Sequence, residues 1–435
     1  MACYSWVVTD TKKLLSGSSV LFIGSLTGSL FSYVFNMMMG RMLGPELYGE
    51  LSTVLSLTMI LSVVGVTLSL VTVQSANELY HQGKGGALIQ FVSRMSRYTV
   101  LVGLSLVVLL LILIKPITTS LSLTSLVPAL IVAVSIFFSL LLTVNRSVLQ
   151  GLHSFVPLSL SNVFEMALRL VSGILLVYLG FSLNGAVMAI VLATGFAYLL
   201  SFVSVAARMK KAAQGDGAGT RLPANFFKDL LKGPVVPTFA ATLLLIILLN
   251  ADIILMRMFF DTRTAGLYAA VSTVGKIILY ITTPVISAMF PLISEKRTKG
   301  EKHYQTFLFA NVLTLAAAIG LLSVYMVAPG LVMRTLYGSA FTDLYYLLPQ
   351  VGLFILIYAM VNLVVNYNII IRDYFFLAIL LLGLGLAYVL VQLHHDTVEE
   401  VVRMLVLSTA ASFTLIMVRY FYSKRTQISQ LISRV

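Results

Sequence analysis

A chain of 435 residues that is 59% hydrophobic and 10% charged, with a mean hydropathy of +0.99, carries too little polar surface to fold in water, where about a quarter of residues are charged. Its net charge of +13 reads as membrane topology rather than nucleic-acid binding, since no stacking platform or basic groove accompanies it, and the single cysteine, Cys3, excludes an internal disulfide framework and a cysteine metal cluster. Repeated apolar runs of about 20 residues, each long enough to cross a bilayer core as a helix, leave a polytopic all-α membrane protein.

In chain order, Met1 to Lys13 lacks a cleavable-signal pattern, and the first apolar run is too long for a signal core, so it is expected to stay as the first span. About twelve transmembrane helices are expected, at 14–38, 51–74, 97–114, 126–147, 157–179, 184–206, 235–258, 266–290, 305–327, 346–367, 374–393 and 401–421. Between the first two, Gly40 to Glu50 reads as a polar turn centred on Gly44-Pro45, because proline lacks the N–H that a helix needs. The longest connection, 207–234, contains a flexible glycine-rich stretch from Gln214 to Gly219. It is taken as a cytoplasmic linker between an N-terminal six-helix lobe, 1–206, and a C-terminal six-helix lobe, 235–435. Asn36-x4-Arg41-Met42 followed by Leu47-Tyr48-Gly49 is echoed by Asp252-x4-Arg257-Met258 followed by Leu267-Tyr268-Ala269, which suggests duplication. Six spans start and end on one side, so the lobes form a parallel repeat, an arrangement that commonly holds substrate in a central cavity.

Of the 29 basic residues, 21 fall on the side holding both termini, Arg146 among them. Six fall on the other, including Arg41 and Arg257, and Arg169 and Lys276 lie within spans. The positive-inside bias places both termini in the cytoplasm.

Polar residues inside lipid mark the face turned to protein or cavity. Ser18, Ser25, Ser29, Ser32 and Asn36 share one face of the first span, where close helix packing accounts for them as readily as a cavity. Ser272, Lys276, Tyr280, Thr283 and Ser287 share a face of the eighth, with Pro284 a candidate kink. Tyr358, Asn362 and Asn366 follow in the tenth. A lysine at mid-helix costs about 3 kcal/mol to insert, so Lys276 argues for a cavity. Glu165 and Arg169, four apart, either neutralise each other or set Arg169 as an anion contact. Asp252 is expected to pair with Arg257, with a cation or proton site as the alternative, and Arg41 and Arg257 are expected at the outer cavity rim.

No Walker motif and no recognisable Ser/His/Asp arrangement is present, and no cofactor is implied. His394-His395-Asp396 with Glu399 and Glu400 reads as a solvated loop rather than a metal site, and His81, His153 and His303 read as isolated.

Leu43-Gly44-Pro45-Glu46-Leu47-Tyr48-Gly49 resembles a signature of the bacterial polysaccharide or O-antigen flippases of the multidrug/oligosaccharidyl-lipid/polysaccharide (MOP) exporter superfamily. So do Leu149-Gln150-Gly151-Leu152-His153-Ser154-Phe155, Arg169 with Gly180 and Asn184-Gly185-Ala186, then Asp252, Gly266-Leu267-Tyr268, Pro291 and Tyr337-Gly338-Ser339-Ala340-Phe341. The resemblance covers nearly the whole chain and implies two six-helix lobes around a central cavity. It also implies translocation of a lipid-linked, polyprenyl-diphosphate saccharide from the cytoplasmic to the outer leaflet of the inner membrane, driven by an ion gradient or the membrane potential. On that reading Lys276 and Arg169 supply cations for the diphosphate. Tyr280, Ser272, Asn36 and Asn362 offer partners for the sugar, Arg41 and Arg257 guard the rim, and Asp252 and Glu165 are candidates for ion coupling to a proton or sodium. Membrane lipids and the lipid-linked substrate are the expected partners of a monomer. Competing readings are a cation-coupled multidrug exporter, a peptidoglycan-precursor flippase, and, in a different class, a membrane polysaccharide polymerase or ligase. The last would call for a sizeable outer loop with catalytic groups, and the outer loops are short.

Overall fold

The computed structural model describes residues 2–121, 125–214, 219–223, 235–298 and 304–432, and all secondary structure among them is helical. The side chains of Ser18, Ser287 and Pro291, together with His303 and the linker residues Gly215 to Ala218, lie outside the described part. Among the described residues, ten stretches are long and apolar enough to cross a membrane. Two of them, Ile23–His81 and Phe155–Ala212, run for nearly 60 residues. About 20 residues span a bilayer. Each long stretch is broken at a glycine, Gly44 or Gly180, and divides in two, which makes twelve crossings.

The chain forms two compact units, Met1–Val235 and Val236–Val435. The first holds α1 (Ala2–Leu61), α2 (Val63–His81), α3 (Gly85–Ser120), α4 (Val127–Gly151), α5 (Phe155–Leu176) and α6 (Ser182–Ala212). A five-residue π turn, Val177–Phe181, joins the last two. The expected turn from Gly40 to Glu50 is helical on both sides of Gly44, whose φ of 75° and ψ of 173° lie in a region open to glycine alone. Pro45 then starts the next segment, where its missing N–H has no helical partner to lose. The helices on either side continue through Tyr48 and Glu50, both buried.

α5 packs on α1 and α6, and α4 packs on α2, α3 and α6. A Cβ on Gly24 or Gly28 of α1 would overlap Ser159 or Asn162 of α5, at 2.7 and 2.8 Å. The close helix contact of α1 is thus made by its glycines. Ser29, Ser32 and Asn36, one position round, stay half-buried, and Ser25 is exposed.

The second unit holds α7 (Val235–Phe259), α8 (Thr262–Gly275), α9 (Ile277–Thr298), α10 (Tyr304–Val327), α11 (Pro329–Tyr337), α12 (Leu348–Ile371), α13 (Phe376–Leu393) and α14 (Val398–Ile432). α12 is its centre: it packs against α8, α9, α10 and α14, and Val361, Val364 and Tyr367 anchor the core. Phe307 of α10 stacks on Tyr367 at 4.0 Å between ring centroids. The opposite face of α10 presents Leu308, Phe309 and Val312 outward, as lipid demands and water would not allow.

α9 runs without interruption through Pro284, the expected kink position. The break falls eight residues earlier, at Lys276, between α8 and α9. Tyr325 of α10 donates its phenolic hydrogen to the Val274 carbonyl at 2.7 Å, adding a second donor to a carbonyl that already accepts a backbone N–H at the end of α8.

Candidate functional site

Two clusters of charge lie inside the helices, one in each unit. In the first, α4 and α5 form an antiparallel hairpin around Leu152–Ser154, so that Arg146 comes opposite Ser161. Ser161, Glu165 and Arg169 follow at steps of four and share one face of α5. Arg146 donates from Nη1 to Glu165 Oε2 at 2.8 Å, from Nε to Ser161 Oγ at 3.1 Å and from Nη2 to the Ser161 carbonyl at 2.7 Å. Arg169 donates from Nη2 to the other Glu165 oxygen, Oε1, at 2.9 Å, and Thr194 of α6 adds its hydroxyl to that oxygen at 3.2 Å. Glu165 is 5% exposed and lies ten residues into α5. That is about 15 Å along the axis, half of a bilayer core.

One carboxylate therefore bridges two guanidiniums, and the cluster carries a net charge of +1. Arg169 Nε is buried and has no hydrogen-bond partner among the described residues. Arg146, placed by its position near a span end among the loop cations, instead completes this intramembrane cluster.

In the second unit Asp252 of α7 is fully buried. It accepts hydrogen bonds from Ser272 Oγ and from Tyr268 OH (3.3 Å), and Lys276 Nζ lies 3.4 Å from its other oxygen. Tyr268, Ser272 and Lys276 recur every fourth residue, one face of α8 turned to α7. Lys276 also closes the C-terminus of α8, where its charge meets the negative end of the helix dipole. The expected Asp252–Arg257 pair is corrected: among the described residues the cation of Asp252 is Lys276. Lys276 itself is a neutralised ammonium, 16% exposed, and not an isolated one.

The remaining candidates stand outside both clusters. Asn36 returns its amide to the Ser32 carbonyl, and Asn366 bonds to the side chain and carbonyl of Asn362. Tyr280 is 40% exposed, and Thr283 is exposed beyond the break that splits the polar stripe. The sequence-related arginines differ in exposure: Arg41 is exposed, while Arg257 is 2% exposed.

Among the described residues no three His, Cys, Asp or Glu converge as metal ligands. His395 Nδ1 lies 3.0 Å from the Gln392 carbonyl oxygen, with its ring against Phe259. His81 and His153, read as isolated, meet edge to face at 5.3 Å, and His153 Nε2 lies 3.0 Å from Asn77 Oδ1. Burial and then the neighbouring His81 hold the His153 imidazole below its usual pKa.

Residues 14–296 match the family model described as polysaccharide biosynthesis protein. None of the curated proteins matches the sequence. Among solved structures, a multidrug resistance MATE family transporter of the MOP superfamily, seen in an inward-facing conformation, is 14% identical with a TM-score of 0.77, over 93% of this chain and 96% of that one. The Vibrio cholerae MATE transporter VcmN is 15% identical at TM-score 0.67 over 95% and 98% of the two chains. The eukaryotic MATE transporter AtDTX14 is 15% identical at 0.66 over 95% and 96%. At such identities the likeness is one of fold.

Proposed function

Because the chain belongs to the polysaccharide biosynthesis protein family, we propose that it is a flippase, moving a polyprenyl-diphosphate-linked oligosaccharide from the cytoplasmic to the outer leaflet by alternating access. Family and fold together are those of MOP-superfamily transporters, and the chain is a multi-pass membrane protein. The proposed setting is the inner membrane, both termini cytoplasmic, the protein a monomer.

The observation that carries this reading is the net positive cluster on α4 and α5. A diphosphate crossing the low-dielectric layer needs a fixed cation with hydrogen-bond donors to spare. Glu165 cannot neutralise two guanidiniums, and Arg169 retains an N–H without an acceptor among the described residues. Glu165 holds both arginines in place, and the substrate anion supplies the missing negative charge.

Lys276 is the second proposed contact, and its partner suggests how transport couples to an ion. When the diphosphate draws Lys276 away, Asp252 is left as a fully buried carboxylate without its cation, a costly state. Uptake of a proton or sodium by Asp252 relieves it. Asp252 is thus the leading coupling residue, and Glu165, already doubly paired, is the weaker one. The amide and hydroxyl groups of Asn36, Asn362 and Tyr280 serve the sugar, with Arg41 and Arg257 as outlying cations.

A second reading, a cation-coupled multidrug exporter, draws on the same buried Asp252 and on the fold shared with multidrug transporters. The two readings separate in one experiment. Arg169→Gln and Lys276→Gln, made singly and together, are assayed for leaflet accessibility of a lipid-linked sugar, with membrane levels of protein held equal. Each single change should lower translocation at least about tenfold, the effect of about 1.4 kcal/mol at one step. Full translocation by the double variant would sink the flippase reading, and efflux of a cationic dye with no sugar transport would establish the exporter.

A further inference from the structure

At the end of the first unit where α2 gives way to α3 and α6 runs out, the chain builds a pocket that the two charge clusters do not use. Gly85, opening α3, sits so close to the last turn of α6 that a Cβ would overlap the Ala212 carbonyl. Residues 219–223 are tied to the same place. Ala87 N donates to Thr220 Oγ1 and Leu222 N to Gln90 Oε1, both at 3.1 Å. Beside this closed junction lies a cavity of about 460 Å³. Leu88, Leu152 and Met209 give it apolar walls, and Tyr80, Arg208 and Lys211 supply the polar groups.

Arg208 is positioned by a hydrogen bond from Nη1 to Ser154 Oγ, on the loop between α4 and α5. The charge around the cavity is one-sided. Among the described residues of 76–97, 148–156 and 205–223, seven are Lys or Arg and Glu78 is the one acid. Glu78 accepts a hydrogen bond from Gln82.

We propose that this cavity binds the phosphate of an anionic phospholipid, with the first acyl carbons laid along Leu88, Leu152 and Met209. A guanidinium and an ammonium in one pocket match a phosphodiester. Tyr80, 52% exposed, has the amphipathic character of a side chain at headgroup depth. Basic pockets between membrane helices hold lipid headgroups by this combination of charge and apolar wall. The apolar half of the lining distinguishes a lipid from free phosphate, which has nothing to place there.

The test uses the full chain in nanodiscs and native mass spectrometry, with phosphatidylglycerol as probe, phosphatidylcholine as the neutral control and inorganic phosphate as a separate arm. Phosphatidylglycerol should be retained over phosphatidylcholine. Lys211→Gln should weaken that preference about fivefold, the equivalent of one cation near the surface. Arg208→Gln should do at least as much, and Lys211, which is exposed, keeps the test valid if Arg208→Gln folds poorly. Lys115→Gln, an exposed change at the far end of α3 and outside the counted basic residues, should leave the preference in place. Equal retention of the two lipids, or an unchanged preference in Lys211→Gln, overturns the proposal. Displacement of bound phosphatidylglycerol by millimolar inorganic phosphate alone assigns the site to free phosphate and overturns the lipid. None of these readouts involves sugar transport, so the lipid site and the flippase reading fail separately.

Discussion

The two units bury one intramembrane carboxylate each in a described cluster, and they treat it differently. Glu165 faces two guanidiniums and is left with a cluster of net charge +1. Asp252 faces one ammonium and two hydroxyls, and its cluster is neutral. Neutral pairs satisfy the membrane; an excess charge does not, and persists where an anion completes it. On the proposed reading, the asymmetry makes the first unit the main site of substrate charge and leaves the second, through Asp252, the exchangeable one.

The sharpest way to break this comparison is to neutralise the two carboxylates. Glu165→Gln leaves two buried guanidiniums repelling each other across a neutral amide, and the expected loss is about 3–5 kcal/mol. Asp252→Asn leaves one cation that is 16% exposed and still beside Ser272 and Tyr268, with an expected loss of about 1–3 kcal/mol. Thermal unfolding of the purified variants in one detergent ranks them. A larger loss for Asp252→Asn would mean that the first cluster is not the more strained in charge, and the division of roles would go with it.

How much of this could be read from the chain depends on the range of the interaction. Twelve helices were legible because lipid forces every span to be a long apolar helix, a purely local constraint. The Glu165–Arg169 pair was legible because a four-residue step puts both on one face. Arg146 was not, since a count along the chain places a residue near a helix end in a loop. The hairpin register across Leu152–Ser154 would have put it opposite Ser161. Asp252 and Arg257, five apart, point to different faces, and the true partner of Asp252 came from the next helix. Pro284 drew attention as a kink by residue type. The helix is interrupted at Lys276, where Tyr325 of α10 bonds to the Val274 carbonyl, and no local pattern reports that contact.

The junction between the first two crossings of each unit gives a second contrast. In the first unit it is the break inside α1 at Gly44, with φ 75° and ψ 173°. Gly44→Ala puts a Cβ into a conformation that L-residues avoid. No atom lies within 4 Å of that Cβ, so the cost is backbone strain and not a clash. About 1–3 kcal/mol is expected, read as a lowered unfolding midpoint. A midpoint equal to that of the parent would show that the α1 break relaxes freely, and that the first junction is a soft hinge instead of a fixed angle.

In the second unit the junction is a true N-cap. Asp261 accepts hydrogen bonds from Arg263 N at 3.0 Å and Thr264 N at 3.1 Å, and these bonds, those from Thr264 foremost, hold its carboxyl below the usual range. Asp261→Ala should cost about 1 kcal/mol at neutral pH, and Asp261→Asn much less, because the amide oxygen still caps. The sign of the pH dependence follows from the lowered value. The folded chain binds the proton less readily than the unfolded one, so this contribution is complete above the ordinary aspartate range and fades as pH falls through the folded pKa. The gap between parent and Asp261→Ala should therefore narrow on acidification, while the gap caused by Gly44→Ala, which involves no titrating group, should not change. A gap for Asp261→Ala that stays constant down to pH 3 would mean that the carboxyl is not capping α8, and both junctions would then rest on backbone geometry alone.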